Sequence, residues 1–96
     1  MMQHYVLLKF KPGYLSDEKI YKIKNAFAEI KATVEGVKEI QIERNCIERE
    51  LNMDLMIRLL LLDETQLPIY LNHPSHVAIA ADMEPYIQKR VSFDYQ

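Results

Sequence analysis

Alternating apolar and polar positions predict a β-strand followed by a long amphipathic helix. Residues 4–11 are rich in Val, Leu and Phe and end at Pro12-Gly13, a pattern typical of a strand. Period two places on one face His4, Val6, Leu8 and Phe10. Ser16 offers a capping oxygen, and apolar residues then recur at helical steps: Ile20, Ile23, Phe27, Ile30 and Val34. We expect Gly36 to end this helix in the left-handed conformation.

Two further strands are predicted in the middle of the chain. Residues 37–46 carry Ile40 and Ile42 on one face, and charged residues crowd the other, as in a strand near a sheet edge. Residues 53–62 are largely apolar on both faces, which favours cover on both sides. One face carries Met53, Leu55, Ile57, Leu59 and Leu61. The other carries Asp54, Met56, Arg58, Leu60 and Leu62.

The last third of the chain predicts a broken helix and a fourth strand. A short helix carries Leu67, Tyr70 and Leu71, and His73-Pro74 interrupts it because the residue before a proline is pushed out of helical geometry. Pro74 can begin a second helix, which Met83-Glu84-Pro85 ends. Alternation returns over residues 86–95, with one side formed by Ile87, Val91, Phe93 and Tyr95.

This order of elements predicts an α+β fold. It corresponds to a ferredoxin-like βαββαβ unit, with a four-stranded, mostly antiparallel sheet and helices on one face. The 96 residues suffice for a single domain, residues 1–96, with one core. A net charge of -2 with scattered basic residues gives no footprint for nucleic acid or an anionic membrane.

Cysteine content and hydropathy predict a cytoplasmic protein. The single cysteine, Cys46, excludes an intramolecular disulfide and fits a reducing compartment. We expect no signal peptide, because the residues from His4 onward already follow a strand pattern. The longest apolar run, residues 59–62, is far too short to cross a bilayer.

The helix-free face of the predicted sheet indicates self-association. We expect that face to carry Leu7, Leu55, Ile57, Leu59 and Leu61. Such a surface is too apolar for a monomer in water, so the sequence predicts a homodimer whose two open sheet faces stack into a barrel. The alternative is a terminal segment that folds over the face, but no residues are left to form one.

A ligand cleft is predicted between the sheet and its helices. We expect its lining to include His4, Val6, Leu8, Asp54 and Met56, with Ile23 and Phe27 as the far wall. The turn from Tyr70 to His76 would close one end. There His76 could remove a proton and Tyr70 could donate a hydrogen bond to a carbonyl, with His73 beside them.

Plainer interpretations of the same residues stay open. The ring of His73 can cap the helix break, and His76 and Tyr70 can be packing residues. His73 and His76 lie three apart, but Asp54 is the only obvious third ligand, so we expect no metal site and no cofactor. A cleft of several hundred cubic ångströms at the turn would favour a ligand, and a filled interior would favour a structural role.

Three segments together resemble the stress-responsive A/B barrel (Dabb) family. They are His4-Tyr5-Val6-Leu7-Leu8-Lys9-Phe10-Lys11, Tyr70-Leu71-Asn72-His73-Pro74-Ser75-His76 and Val91-Ser92-Phe93-Asp94-Tyr95. The resemblance covers essentially the whole chain and implies a ferredoxin-like subunit in a dimeric α/β barrel. Some members resemble cofactor-independent polyketide cyclases, which implies a base at His76, an assisting hydroxyl at Tyr70 and a pocket residue at His4. The chain departs from that pattern at Asp54, where cyclase-type members have a further pocket histidine.

Three functions are therefore compatible with the sequence. The first is binding of a small apolar or carbonyl-containing molecule in the cleft. The second is proton-transfer or cyclase-like catalysis by His76 and Tyr70. The third is a structural, stress-associated dimer without a ligand.

Overall fold

A computed structural model describes all residues, 1–96, and contains four strands and three α-helices. No helix combines the length and the apolar character needed to cross a membrane. The elements in chain order are β1 (Met2–Phe10), α1 (Asp17–Thr33), β2 (Val37–Arg44), β3 (Leu55–Leu61), α2 (Gln66–Leu71), α3 (Pro74–Met83) and β4 (Ile87–Tyr95). One 3₁₀ turn, Glu84–Tyr86, joins α3 to β4.

The strands form one sheet in the order β2-β3-β1-β4, and all three neighbouring pairs are antiparallel. This is the strand order of a ferredoxin-like fold, so the predicted α+β class is confirmed. The two central strands are β1 and β3. Because β4 lies at an edge beside β1, its residues are exposed along almost the whole strand.

Helix α1 begins as predicted but ends for a different reason. Ser16 accepts a hydrogen bond from the backbone nitrogen of Lys19 at 3.2 Å, which caps the first turn. The expectation of a left-handed Gly36 is wrong, because the only residue with positive φ is Gly13. Gly36 is instead a site of close approach. A Cβ built there would meet the side chain of Gln66, so a larger residue would require that flexible side chain to move.

The helices cover the sheet face that carries the alternate residues of β1 from Met2 to Phe10. Directly opposite residues share a face, and the register pairs His4 with Leu59 and Leu8 with Leu55. The covered face therefore includes the four aliphatic residues of β3 that we expected on the open face, and that expectation is wrong. The buried apolar core consists of Met2, Leu8, Phe10, Ile23, Phe27, Ile30, Val34, Val37, Ile42, Leu55, Ile57, Leu59, Leu61, Tyr70, Ile79 and Met83.

The open face is apolar on one side and polar on the other. Its apolar half lies on β1, β3 and β4 and consists of Tyr5, Leu7, Met56, Leu60, Val91, Phe93 and Tyr95. Its polar half is centred on Arg58, which donates to the side chains of Gln41, Gln3 and Glu39 at 3.0, 2.8 and 3.1 Å. Met56 belongs to this open face, so its predicted place in the cleft is wrong.

An irregularity in the β1–β4 pairing separates two groups of apolar residues in β4. Lys9 pairs with Lys89, but the next residue, Phe10, pairs with Ile87. The extra residue in β4 is a β-bulge, and it changes the face to which the following residues belong. Ile87 consequently packs against the covered core, whereas Val91 and the later apolar residues lie on the open face. The expectation that they all share one side is wrong for Ile87.

Candidate functional site

The break between α2 and α3 is held by His73. Its Nδ1 accepts a hydrogen bond from the backbone nitrogen of Ser75 at 3.1 Å and caps α3, which begins at Pro74. Because Nδ1 accepts, the proton lies on Nε2, which is 2.7 Å from the hydroxyl oxygen of Thr33 on α1. Both ring nitrogens are thus engaged. The capping interpretation fits this geometry, and His73 offers no free nitrogen to a ligand.

His76 lies on the first turn of α3 with one ring nitrogen free. Its Nδ1 lies 2.9 Å from the carbonyl oxygen of Leu71, and a carbonyl only accepts, so Nδ1 carries the proton. The lone pair of a neutral His76 is therefore on Nε2. Burial lowers the pKa of His76, partly offset by the bond to Leu71, and the positive charge of Arg90 lowers it further. His76 thus favours the neutral form, which a base requires.

His4 is the only buried polar residue in the sheet, and its two nitrogens differ sharply. Nδ1 bonds the carboxylate of Asp94, its cross-strand neighbour in β4. Since a carboxylate accepts, Nδ1 donates and the ring is fixed in orientation. The Nε2 atom is buried and has no hydrogen-bond partner. An unpaired buried polar atom costs stability, typically about 1–3 kcal/mol, so this atom requires an explanation.

Tyr70 lies between the two histidines. Its ring centroid is 5.7 Å from that of His4, edge to face, and 4.6 Å from that of His76. Phe27 on α1 closes the group at 6.0 Å from Tyr70 and 6.4 Å from His76. Burial raises the pKa of Tyr70 well above its usual range, so its hydroxyl stays protonated and can act as a donor. We call His4, Tyr70, His76 and Asp94 the histidine cluster.

The structure brings together most of the predicted site and leaves one member far away. Val6 and Leu8 follow His4 along the covered face, and Ile23 lies one turn before Phe27 on α1. The carboxylate of Asp54 instead accepts a hydrogen bond from the backbone N–H of Phe10 at 2.8 Å. Phe10 lies six positions after His4 on β1, which is about 20 Å of strand. The expectation that Asp54 lines the same site is therefore wrong.

None of the main cavities lies at the histidine turn, where the sequence predicted a hollow. None of the five main surface cavities is lined by His4, Tyr70 or His76. The largest, about 530 Å³, lies at the far end of the sheet and contains Asp54. Tyr70 is only 1% exposed and occupies the interior beside His4. Side chains fill the space that the sequence predicted to be a cleft.

Two residues of β4 belong near the site and were not predicted to do so. Asp94 binds His4, and Arg90 lies two positions before Ser92 on the same face. Period two alone places both residues opposite Val91 and Phe93. The pairing of His4 with Asp94 depends on strand register, however, and the bulge near Phe10 cannot be seen in the sequence.

The arrangement combines a hydrogen-bond donor, an acceptor nitrogen and a buried nitrogen without a partner. Tyr70 offers O–H, the Nε2 of neutral His76 offers a lone pair, and the Nε2 of His4 has no hydrogen-bond partner. Such a set can bind a carbonyl oxygen and accept a proton from a neighbouring atom. No group of three or more His, Cys, Asp or Glu side chains lies close enough to share a metal ion.

Solved structures with the same fold come from bacteria and plants. A dimeric ferredoxin-like protein of unknown function from Thermobifida fusca is 19% identical, covering 98% of this chain and 88% of its own, with a TM-score of 0.80. A Dabb family protein from Mesorhizobium loti is 24% identical, covering 99% and 94%, with a TM-score of 0.73. A hydroxynitrile lyase from Passiflora edulis is 16% identical, covering 98% and 90%, with a TM-score of 0.76.

A family model gives a stronger result than these distant structural similarities. No curated protein matches the chain significantly. The model described as the stress responsive A/B barrel domain, Dabb, matches residues 2–96, which is nearly the whole chain. The resemblance inferred from the three sequence segments is thereby confirmed. The chain belongs to the stress-responsive A/B barrel domain family.

Proposed function

We propose that this protein is a cytoplasmic homodimer that binds a small, carbonyl-containing molecule at the histidine cluster. The ligand carbonyl accepts a hydrogen bond from Tyr70, and its apolar part packs against Val6 and Phe27. Entry occurs beside His76, the half-buried member of the cluster. The ligand displaces side chains that fill the site in the free protein.

The observation that carries this proposal is the unpaired Nε2 of His4. A residue with a purely structural role usually has its buried nitrogens hydrogen-bonded, and even the half-buried His73 has both ring nitrogens engaged. In His4 the carboxylate of Asp94 fixes the ring, and Nε2 is left buried without a hydrogen-bond partner. A ligand hydroxyl or enol at this position would remove the unfavourable free energy of that unpaired atom.

Proton transfer is the chemistry that these groups support. The Nε2 of His76 accepts a proton from the carbon next to the carbonyl, and the O–H of Tyr70 stabilises the resulting enolate oxygen. The lowered pKa of His76 keeps its lone pair available near neutral pH. A protein with this fold, from Passiflora edulis, is a hydroxynitrile lyase, so the fold can host catalysis on small molecules.

The homodimer is supported by the exposed apolar half of the open face. Phe93 is 63% exposed, Tyr95 48% and Val91 40%, and they are contiguous with the half-buried Leu7 and Leu60. Two solved structures of the same fold are described as dimeric. Each large apolar side chain removed from water contributes about 1.5–3 kcal/mol, which makes face-to-face pairing favourable.

A dimer without a ligand is the competing function, and the filled interior favours it. In that case His4, Tyr70 and His76 are packing residues, and no small molecule reaches them. The two functions differ in what the cluster does when a carbonyl compound is added.

Titration with small aryl ketones, followed by NMR of the histidine and tyrosine side chains, tests the proposal. We expect signals of His4, Tyr70 and His76 to shift together and saturably. Tyr70→Phe should weaken binding at least about tenfold, because one buried hydrogen bond to the carbonyl is lost. Tyr21→Phe is the matched control, since Tyr21 is 67% exposed on α1.

Two results would contradict the proposal. One is the absence of any shift at the cluster at millimolar ketone, which would favour the ligand-free dimer. The other is equal weakening by Tyr70→Phe and Tyr21→Phe. Proton transfer is tested separately by exchange of the ketone α-protons with D₂O, which His76→Ala should abolish while binding persists.

A further inference from the structure

The covered face of β4 carries a polar column next to the histidine cluster. Arg90, Ser92 and Asp94 follow one another at period two and pair with Leu8, Val6 and His4 of β1. On β1 the inward residues are buried except for Val6, which is only half-buried. The helices therefore leave Val6 and its partner Ser92 partly accessible to solvent, and Arg90 and Asp94 lie on either side of Ser92 along β4.

Arg90 is a positively charged side chain whose field reaches the histidine cluster. Its charge lowers the pKa of His76, in the same direction as burial does. It also lowers the pKa of Tyr70, which opposes the larger rise caused by burial. Its one protein partner is the carboxylate of Glu84, at 2.8 Å, and both side chains are at least half exposed. Asp94, the acidic residue of the column, is already bound to His4.

We propose that Arg90 determines ligand specificity, and that the ligand is a small organic anion whose carboxylate binds Arg90 while its other polar group reaches Tyr70 and His76. This rests on the function proposed above and adds a substrate class to it. The guanidinium binds a carboxylate through two parallel hydrogen bonds, and the apolar middle of the ligand lies over Val6 and Ser92.

The exchange of partners at Arg90 makes this recognition favourable. An exposed arginine–carboxylate pair such as Arg90–Glu84 contributes little, so a ligand carboxylate can replace Glu84 at small cost. The bound carboxylate also offsets the positive charge that acts on His76. Binding of an anion should therefore raise the pKa of His76, whereas a neutral ligand of the same shape should not.

Benzoate and benzamide are the probes, because they have the same shape and differ in charge. Dissociation constants are measured by NMR on the intact protein, together with the His76 titration curve. We expect benzoate to bind at least about tenfold more tightly than benzamide. Arg90→Gln should remove that preference and leave benzamide affinity unchanged. Glu84→Gln should tighten benzoate binding about two- to fivefold, because the competing carboxylate is gone.

Lys89→Gln is the control for charge. Lys89 immediately precedes Arg90 in β4 and pairs with Lys9 on the other face of the sheet. The substitution therefore removes one positive charge from the same strand, away from the site. The preference for benzoate should persist in this variant. A spectrum of Arg90→Gln that resembles that of the wild type would establish that this variant folds. If Arg90→Gln were to misfold, the opposite effect of Glu84→Gln still tests the proposal.

Four outcomes would overturn the inference. They are equal binding of the two probes, an unchanged preference in Arg90→Gln, loss of the preference in Lys89→Gln, and benzoate binding that leaves the His76 pKa unmoved. If aryl ketones still bind at the cluster in these cases, the proposed function stands and only the anion specificity fails. If neither the ketones nor these probes perturb the cluster, both are wrong.

Discussion

The two faces of the sheet are formed by neighbouring residues of the same strand and differ in burial and in polarity. On β3, Leu59 is fully buried under the helices, whereas the next residue, Leu60, is half-buried on the open face. The covered face is continuously aliphatic along β3. The open face mixes aromatic and aliphatic side chains with the hydrogen-bonded Arg58. A strand that is apolar on both sides therefore serves two separate surfaces.

The difference between the two faces shows how strongly the structure depends on strand register, because a shift of one residue would exchange the two sets of side chains. Period two separates the residues of β3 into two sets correctly, but both sets are mostly apolar, and the charge of Arg58 is the one signal in β3 that its set lies on the open face. The register decides, because Leu59 lies opposite His4 and Leu55 opposite Leu8. The covered set stabilises the monomer. The open set forms the face through which we propose that the chain dimerises.

Glutamate substitutions at Leu59 and Leu60 should give the largest contrast. Leu59→Glu buries an uncompensated carboxylate and leaves the aliphatic layer incomplete, a cost of several kcal/mol in a domain whose total stability is on the order of 5–15 kcal/mol. We expect little or no folded protein by circular dichroism. Leu60→Glu places the same charge where solvent can reach it, and it should remain folded. A folded, stable Leu59→Glu variant would contradict the assignment of the two faces.

Charge on the open face should break the dimer without unfolding the subunit. Phe93→Glu and Leu60→Glu each insert a carboxylate into the proposed interface, so we expect a monomeric mass by light scattering and a native circular dichroism spectrum. Tyr21→Glu, on the exposed side of α1, should stay dimeric. Dimers that persist in both open-face variants would show that the chains associate through another surface, or that these side chains contribute little.

The fold could be predicted because its signals are local. The stripe of Ile23, Phe27 and Ile30 fixes the buried side of α1, and Pro74 after His73 fixes the break between α2 and α3. These patterns arise within a few residues of chain. They specify the order of elements, and that order has few compact solutions.

The site could be predicted only in part, because its members meet through long-range pairing. Tyr70 and His76 lie in one turn and were identified from their spacing, but Asp94 reaches His4 only through the β1–β4 register. Asp54 is different, because the predicted antiparallel topology already indicates its position: the residue that begins a strand antiparallel to β1 lies at the end of the sheet away from His4. The filled interior depends on the rotamer of Tyr70, which no pattern reports.

Removing the ring of His73 should loosen the helical cover over the buried face. His73→Ala loses both the cap of α3 and the contact with Thr33 on α1, and loss of a cap typically costs about 1 kcal/mol. His73→Asn keeps a capping acceptor and should recover part of that loss. Chemical denaturation at neutral pH measures both variants. If His73→Ala matched the wild type, the ring would contribute nothing to holding α3.

Mildly acidic pH should lower the free energy of unfolding through protonation of His76, and this is the smallest effect that we expect. Burial lowers the pKa of His76 in the folded protein below the ordinary value of 6.5 that it has in the unfolded chain. Between these two pKa values the unfolded chain binds more protons, so this part of the free energy of unfolding is complete above pH 6.5 and declines as the pH falls through that window.

His76→Gln isolates this contribution. Glutamine does not titrate but can still donate to the carbonyl of Leu71, and the other two histidines are common to both proteins. Subtracting the stability curve of the variant from that of the wild type, measured by denaturation from pH 7.5 to 5, should leave a difference that falls with acidification. A difference that stayed flat or rose would mean that the folded protein accepts the proton on His76 as readily as the unfolded chain does. In that case burial against Tyr70 would not keep the imidazole neutral, and His76 could not be distinguished from an ordinary surface histidine.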